Sequence, residues 1–171
     1  FPPQGVHARI SDAKNRLLGP EEFAAETGVG VGGARGARGG LPDVTAAVYD
    51  LYQKRLYEAN ALDFDDLIMR TVDLFLLFPV CLERYREAFR HVLVDEYQDT
   101  NHAQYVLVHM LAAEHRQISV VGDDDQSVYS WRGADHRNIL EFERDFPSAT
   151  VVKLEQNYRS TTTILEAAHA V

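Results

Sequence analysis

Apolar residues recur along this chain with two different periods, and the change from one to the other divides it. Before His91 they fall at the three- and four-residue spacing of helices buried along one face. "HARISDAKNRLLG" is such a stretch, stopped by Gly19 and Pro20, and "PEEFAAE" follows with proline in its first turn and acids behind it. From Asp43 to Leu62, Val48, Leu51, Tyr52, Leu56 and Tyr57 keep helical spacing, with Asp43 or Thr45 able to cap. "DFDDLIMRTVDLFLLF" predicts one more helix, in which Asp63 caps, Phe64, Leu67, Ile68, Val72 and Phe75 share a side, and Pro79 ends the run.

Beyond His91 short apolar runs of strand type alternate with helical ones. "HVLVDE", "ISVVGD" and "TVVKLEQN" read as strands; "AQYVLVHMLAAEH", "HRNILEFERDF" and "TTTILEAAHAV" read as the helices after them. Three strands, each followed by a helix, predict right-handed crossovers and an α/β fold whose parallel sheet is covered on both faces. Ligands on such a sheet sit at the carboxyl ends of the strands. All three ends are polar: Asp95 and Glu96; Gly122, Asp123 and Gln126; Gln156, Asn157, Tyr158 and Arg159. They are expected to share one rim.

Composition narrows this without redirecting it. With 171 residues, 46% of them hydrophobic, the chain can bury one ordinary core with an appendage. Cys81 is the single cysteine, which excludes an internal disulfide and a clustered-cysteine zinc site, and its apolar setting predicts a small buried hydrophobe. "VDLFLLFPVCL" is broken by Pro79 and flanked by charge, so no run reaches membrane-spanning length, and a cytoplasmic protein is expected. A chain that opens on Phe1 and closes on Val171 inside a helical stretch reads as an excerpt of something longer. The net charge of −9 is uneven, with 11 basic and 13 acidic groups up to Arg90 but 6 and 13 after it. Such a surface opposes tight unspecific binding of nucleic acid, which draws most of its affinity from basic groups. Any nucleic-acid role rests on a few placed residues. "TGVGVGGARGARGGLPD" lacks a preceding apolar strand and any lysine, so it reads as a linker and not a phosphate cradle.

The strand ends carry the candidate chemistry. Asp95, closing an apolar strand, suits Mg²⁺, which is held through one or two carboxylates together with phosphate oxygens. Glu96 starts toward the other face, where it could orient or deprotonate water. The plainer alternative is that the pair caps the next helix. Gln126 can sense a phosphate oxygen, whereas Asp124 and Asp125 lack the ligand spacing of a calcium loop and read as turn residues. Tyr129 and Trp131, two apart and beside Arg132, can stack on unpaired bases or pack in a core. Arg159 can neutralise charge on a transferred phosphoryl group, and an arginine near a helix start is unfavourable unless an anion accompanies it. Tyr158 offers a flat face to a nucleobase or to the core.

"VLVDEYQDTN", "VVGDDDQSVYSWRGAD" and "LEQNYRST", in this order, resemble motifs II, III and IV of the UvrD/PcrA/Rep group of superfamily 1 DNA helicases. "ALDFDDLI" resembles the segment before them there, and "ISDAKNRLLGPEEFAA" resembles the group's 1B subdomain. The resemblance implies a partial RecA-like P-loop NTPase domain: residues 1–62 as a helical 1B piece with a linker at 28–42, 63–152 as the C-terminal half of domain 1A, and 153–171 as the start of domain 2A. It implies an ATP-dependent, 3′ to 5′ DNA helicase of repair or replication. ATP and Mg²⁺ are its implied cofactors, and single-stranded and duplex DNA its partners. It implies Mg²⁺ at Asp95, Glu96 as catalytic base, the γ-phosphate at Gln126 and Arg159, and the nucleotide base at Tyr158. Phe64, Tyr129, Trp131 and Arg132 would lie along single-stranded DNA. The phosphate-binding lysine loop and second RecA-like domain of the group have no counterpart in these residues, so the chain by itself is expected to be inactive. The 28–40 insertion departs from the group's plainer linker. Two other readings are a RecB-like helicase-nuclease and a noncatalytic single-strand DNA binder; an intact set of Asp95, Glu96, Gln126 and Arg159 weighs against the second.

Overall fold

The computed structural model describes residues 2–28, 41–123, 126, 138 and 142–170. Helices α1 (Pro3–Asn15), α2 (Pro20–Glu26), α3 (Leu41–Glu58), α4 (Phe64–Leu77) and α5 (Pro79–Ala88) come first. Strand β1 (Val92–Val94), a 3-10 turn (Tyr97–Asp99), α6 (His102–Ala112) and β2 (Ile118–Val120) follow, then α7 (Phe142–Asp145) and α8 (Thr162–His169).

Local chemistry sets most of these boundaries. Pro20 opens α2 with Glu21 and Glu22 behind it, acids that suit the positive end of a helix. Asp63 caps α4 in a reciprocal box with Asp66: the Asp66 amide donates to Asp63 and the Asp63 amide to Asp66. Asn101 and Gln104 build the same box on α6. Pro79 does two things at once, since it stops α4 and starts α5, a helix that the sequence pattern did not predict. The helix α3 is described from Leu41, so Asp43 and Thr45 stand within it, and Thr45 is buried.

The helical part has two interiors. Val6, Ile10 and Ala13 of α1, Phe23 and Ala24 of α2, and Ala46 and Tyr49 of α3 form one apolar cluster. Beside it, Lys14 lies fully buried, with Nζ 2.7 Å from Asp63 and 3.0 Å from Asp66. Tyr52 donates its hydroxyl to Asp63 at 2.9 Å, Gln53 donates to Asp66 at 3.1 Å, and the Lys14 ammonium sits 5.1 Å from the Tyr52 ring. Burial alone would raise the Asp63 carboxyl, but the bonds from Lys14, the Asp66 amide and Tyr52 outweigh it and hold the group below its usual range. This charge determines which side of α4 faces inward. Asp66, Met69, Val72 and Phe75 are buried, whereas Phe64 and Leu67 are exposed. The expected face was therefore wrong at its first two members.

β1 and β2 pair in parallel, Val92 with Ile118, Leu93 with Ser119 and Val94 with Val120, and α6 connects them. Among the described residues the sheet has these two strands. The expected third strand is absent: residues 151–157 take no regular structure, and Val151, Val152 and Leu154 are exposed. An extended segment becomes a strand when its amides and carbonyls find a ladder, and none is offered to this one among the described residues. Among the described residues two-sided cover is also missing. α6 packs on β1, but Leu93 on the opposite face is 79% exposed. Cys81 is half-buried and free. Among the described residues no helix is long and apolar enough to cross a membrane.

Candidate functional site

Parallel pairing delivers the ends of β1 and β2 to the same edge, and hydrogen bonds extend the contact past both strands. The Val121 amide donates to the Val94 carbonyl at 2.8 Å, and the Tyr97 amide donates to the Val121 carbonyl at 3.0 Å. Between these two bonds the chain leaves β1 through Asp95 and Glu96, both exposed. Glu96 adopts the left-handed conformation, φ 51° and ψ 44°, which is uncommon for a residue with a side chain. Its amide donates to Asp95 Oδ1 at 3.0 Å. The reversal lets Tyr97 drop into the interior, edge-on to Phe142 at 5.7 Å. Burial, reinforced by the charges of Tyr105 and Asp145, pushes the Tyr97 phenol up to about 12, so it stays neutral and serves as packing.

Gln98 comes next, and it links the two strand ends. Its Nε2 donates to Glu96 Oε2 at 2.7 Å, and its Oε1 accepts from the Asp123 amide at 3.1 Å. Asp123 is bonded in turn to Gln126, whose amide donates to the Asp123 carbonyl at 3.1 Å and whose Nε2 donates to Asp123 Oδ2 at 2.6 Å. Glu96, Gln98, Asp123 and Gln126 thus form one hydrogen-bonded chain across the rim. Sequence reasoning had named its two ends but missed Gln98. The available signal was weak: a buried amide in a polar run looks like any turn residue.

The other expected site residues divide. Phe64 is the first residue of α4, 90% exposed, directly after the Asp63 cap that Lys14 holds. Tyr129, Trp131 and Arg132 lie outside the described residues. Tyr158 and Arg159 are exposed, and the Arg159 and Ser160 amides donate to Asn157 Oδ1 at 2.9 Å in a local turn. No hydrogen bond or ion pair among the described residues ties Tyr158 or Arg159 to the rim. The expectation that all three tips share one edge holds for two of them. Of the helix-cap alternative only the position remains: Glu96 stands at the N-cap of the 3-10 turn but makes no side-chain cap bond, and Asn101 caps α6.

Behind the rim, Asn101 Nδ2 donates to Asn15 Oδ1 at 2.8 Å and so ties the start of α6 to α1. Asn138 Nδ2 donates to the Thr100 carbonyl and hydroxyl at 3.0 and 3.1 Å. Among the described residues no three His, Cys, Asp or Glu side chains gather as a protein-only metal cage. The single carboxylate of Asp95 fits instead an ion that completes its shell from water and phosphate.

A parallel α/β sheet with carboxylates at a strand exit and an amide-bearing loop beside them is the core of a partial RecA-like domain. Residues 2–147 match the model of the UvrD/REP helicase N-terminal domain, and the chain belongs to that family. It is 51% identical over its full 171 residues to the ATP-dependent DNA helicase PcrA of Bacillus subtilis (strain 168). To the PcrA proteins of Leuconostoc citreum and Staphylococcus aureus (strain Mu50 / ATCC 700699) it is 47% and 48% identical, again over its whole length. The chain spans 22% of the length of each of these relatives.

Proposed function

We propose that this chain is the part of an ATP-dependent, 3′ to 5′ DNA helicase that supplies the acidic side of the ATP site and a portion of the single-stranded DNA track. The observation that carries the reading is the bonded chain from Glu96 through Gln98 and Asp123 to Gln126, which joins a carboxylate to a phosphate-sensing amide at the ends of two parallel strands. Noncatalytic binding of DNA needs no such arrangement. Relatives named as ATP-dependent DNA helicases support the same reading over the helicase-nuclease alternative.

In this reading Asp95 holds Mg²⁺, which when bound offsets negative charge on the phosphate oxygens. Glu96 takes the proton of the attacking water, and Gln126 bonds a γ-phosphate oxygen, so that a change at the phosphate reaches the loop leading to Tyr129, Trp131 and Arg132. Those residues, with Phe64, stack on or pair with successive nucleotides. Tyr158 covers the nucleobase and Arg159 meets the γ-phosphate once the segment from residue 153, as the start of domain 2A, closes on 63–152 of domain 1A; residues 1–62 contribute to 1B. The work is done on DNA in the cytoplasm, with repair or replication proteins as further partners.

The test is ATP turnover with and without single-stranded DNA. The full-length protein is expected to hydrolyse ATP faster with DNA, and the Trp131→Ala variant to lose DNA affinity and that stimulation. The 171-residue chain by itself is expected to turn over nothing; measurable hydrolysis by it would refute the division of the site between this chain and the rest.

A further inference from the structure

Gln98 is 1% exposed although it is an amide at the mouth of a sheet. Buried amides must have their donors and acceptors met, and this one divides them between two segments of the site. Its orientation follows from chemistry: turned over, its oxygen would face the Glu96 carboxylate and its NH₂ would face the Asp123 N–H. The backbone beneath it is fixed. The Tyr97 amide donates to the Val121 carbonyl just past β2, the Asp99 amide donates to the Glu96 carbonyl at 2.9 Å, and the Thr100 hydroxyl donates to the Tyr97 carbonyl at 2.7 Å. Glu96 meanwhile keeps a backbone conformation that persists only where its surroundings enforce it.

We infer that Gln98 is a positioning residue that couples the loop after β2 to the carboxylate of Glu96. The side-chain amide is planar and rigid, so a displacement of the Asp123 N–H at its oxygen is transmitted to the Glu96 carboxylate at its nitrogen. Gln126, bonded to Asp123 by both backbone and side chain, is the point at which a bound phosphate would pull. The orientation of Glu96 thereby depends on whether the loop has found its ligand. The inference rests on the reading of Glu96 as the base, and the experiment separates the two.

In the full-length protein, Gln98→Glu and Gln98→Met are compared with wild type and Glu96→Gln. The measurements are DNA-stimulated ATP turnover, binding of a fluorescent nonhydrolysable ATP analogue, and Tm. Gln98→Glu keeps an acceptor for the Asp123 amide but sets a carboxylate against Glu96. Gln98→Met keeps the volume and loses both bonds. Positioning predicts that kcat falls about 10- to 100-fold, further in Gln98→Glu than in Gln98→Met, while analogue affinity stays within about twofold. Two outcomes would overturn the inference alone: both variants turning over at close to the wild-type rate beside an inactive Glu96→Gln, or kcat and analogue affinity falling in step with Tm, worst in Gln98→Met. Full turnover by Glu96→Gln would overturn the reading of Glu96 and this inference with it.

Discussion

Residues 92–96 and 151–159 carry the same kind of sequence, a short apolar run closing on polar side chains, and they end in opposite situations. The first is paired with β2, and the loops beyond both strands are bonded to each other through Gln98. The second has no ladder among the described residues, exposes Val151, Val152 and Leu154, and bonds Asn157 to its own neighbours. Apolar alternation is therefore permission for a strand, whereas a partner with free amides and carbonyls makes one. A functional rim needs the ladder even more, because the paired backbone fixes where each tip lies. The open face at Leu93 belongs to the same contrast: a parallel sheet is normally covered on both sides, and this chain spans about a fifth of its relatives.

The strongest way to break this contrast is kinetic. In the full-length protein Glu96→Gln is expected to lower ATP turnover by about 10²- to 10⁴-fold. Arg159→Ala is expected to cost about 10²- to 10³-fold if the third tip joins the rim there, and unchanged turnover would leave that stretch outside the site. Stability comes second. Tyr97→Ala, emptying the pocket under the β1 exit, should destabilise the fold by about 3–5 kcal/mol in urea titrations. Lys14→Met, which takes the cation away from a buried carboxylate, should cost a similar amount, about 3–5 kcal/mol. Leu154→Ala should change stability by less than about 0.5 kcal/mol, since Leu154 is 83% exposed. Amide exchange gives a residue-level version: protection at Val94, Tyr97 and Val121, and fast exchange across 151–157, with equal protection of both stretches erasing the distinction.

The smallest expected effect is on pH dependence. The Asp63 carboxyl is held below its ordinary value of about 3.9. Its contribution is fully present above that value and disappears as the pH drops through the lower, folded-state value. Tm should fall with acidification over that range, and Asp63→Asn, which preserves a good cap, should flatten this part of the profile.

How much of this was visible in the residues depends on range. Pro20, the stop at Pro79, the Asp63 cap and the strand exits at Asp95 and Asp123 are local, and sequence patterns caught them, whereas the Asn101–Gln104 box and the helix that Pro79 opens were passed over. The inward face of α4 was misjudged because a lysine 49 residues upstream of Asp63 turns an acid into an interior residue, and apolar periodicity cannot register that. Gln98 escaped for a similar reason, since one of its partners lies 25 residues away. The strand at 151–157 was misread because its sequence carries the apolar half of the requirement and not the partner.

The buried lysine has one more consequence, for how the first helices dock. Residues 2–28 meet the rest through an apolar cluster, the bonds of Asn101 to Asn15 and of Tyr49 to the Leu18 carbonyl, and the contact of Lys14 with Asp63 and Asp66. Hydrophobic surface supplies adhesion in any of several slidings, but an ammonium that must land between two carboxylates accepts one. The two carboxylates thus set the register in which residues 2–28 seat, and the apolar cluster holds them there.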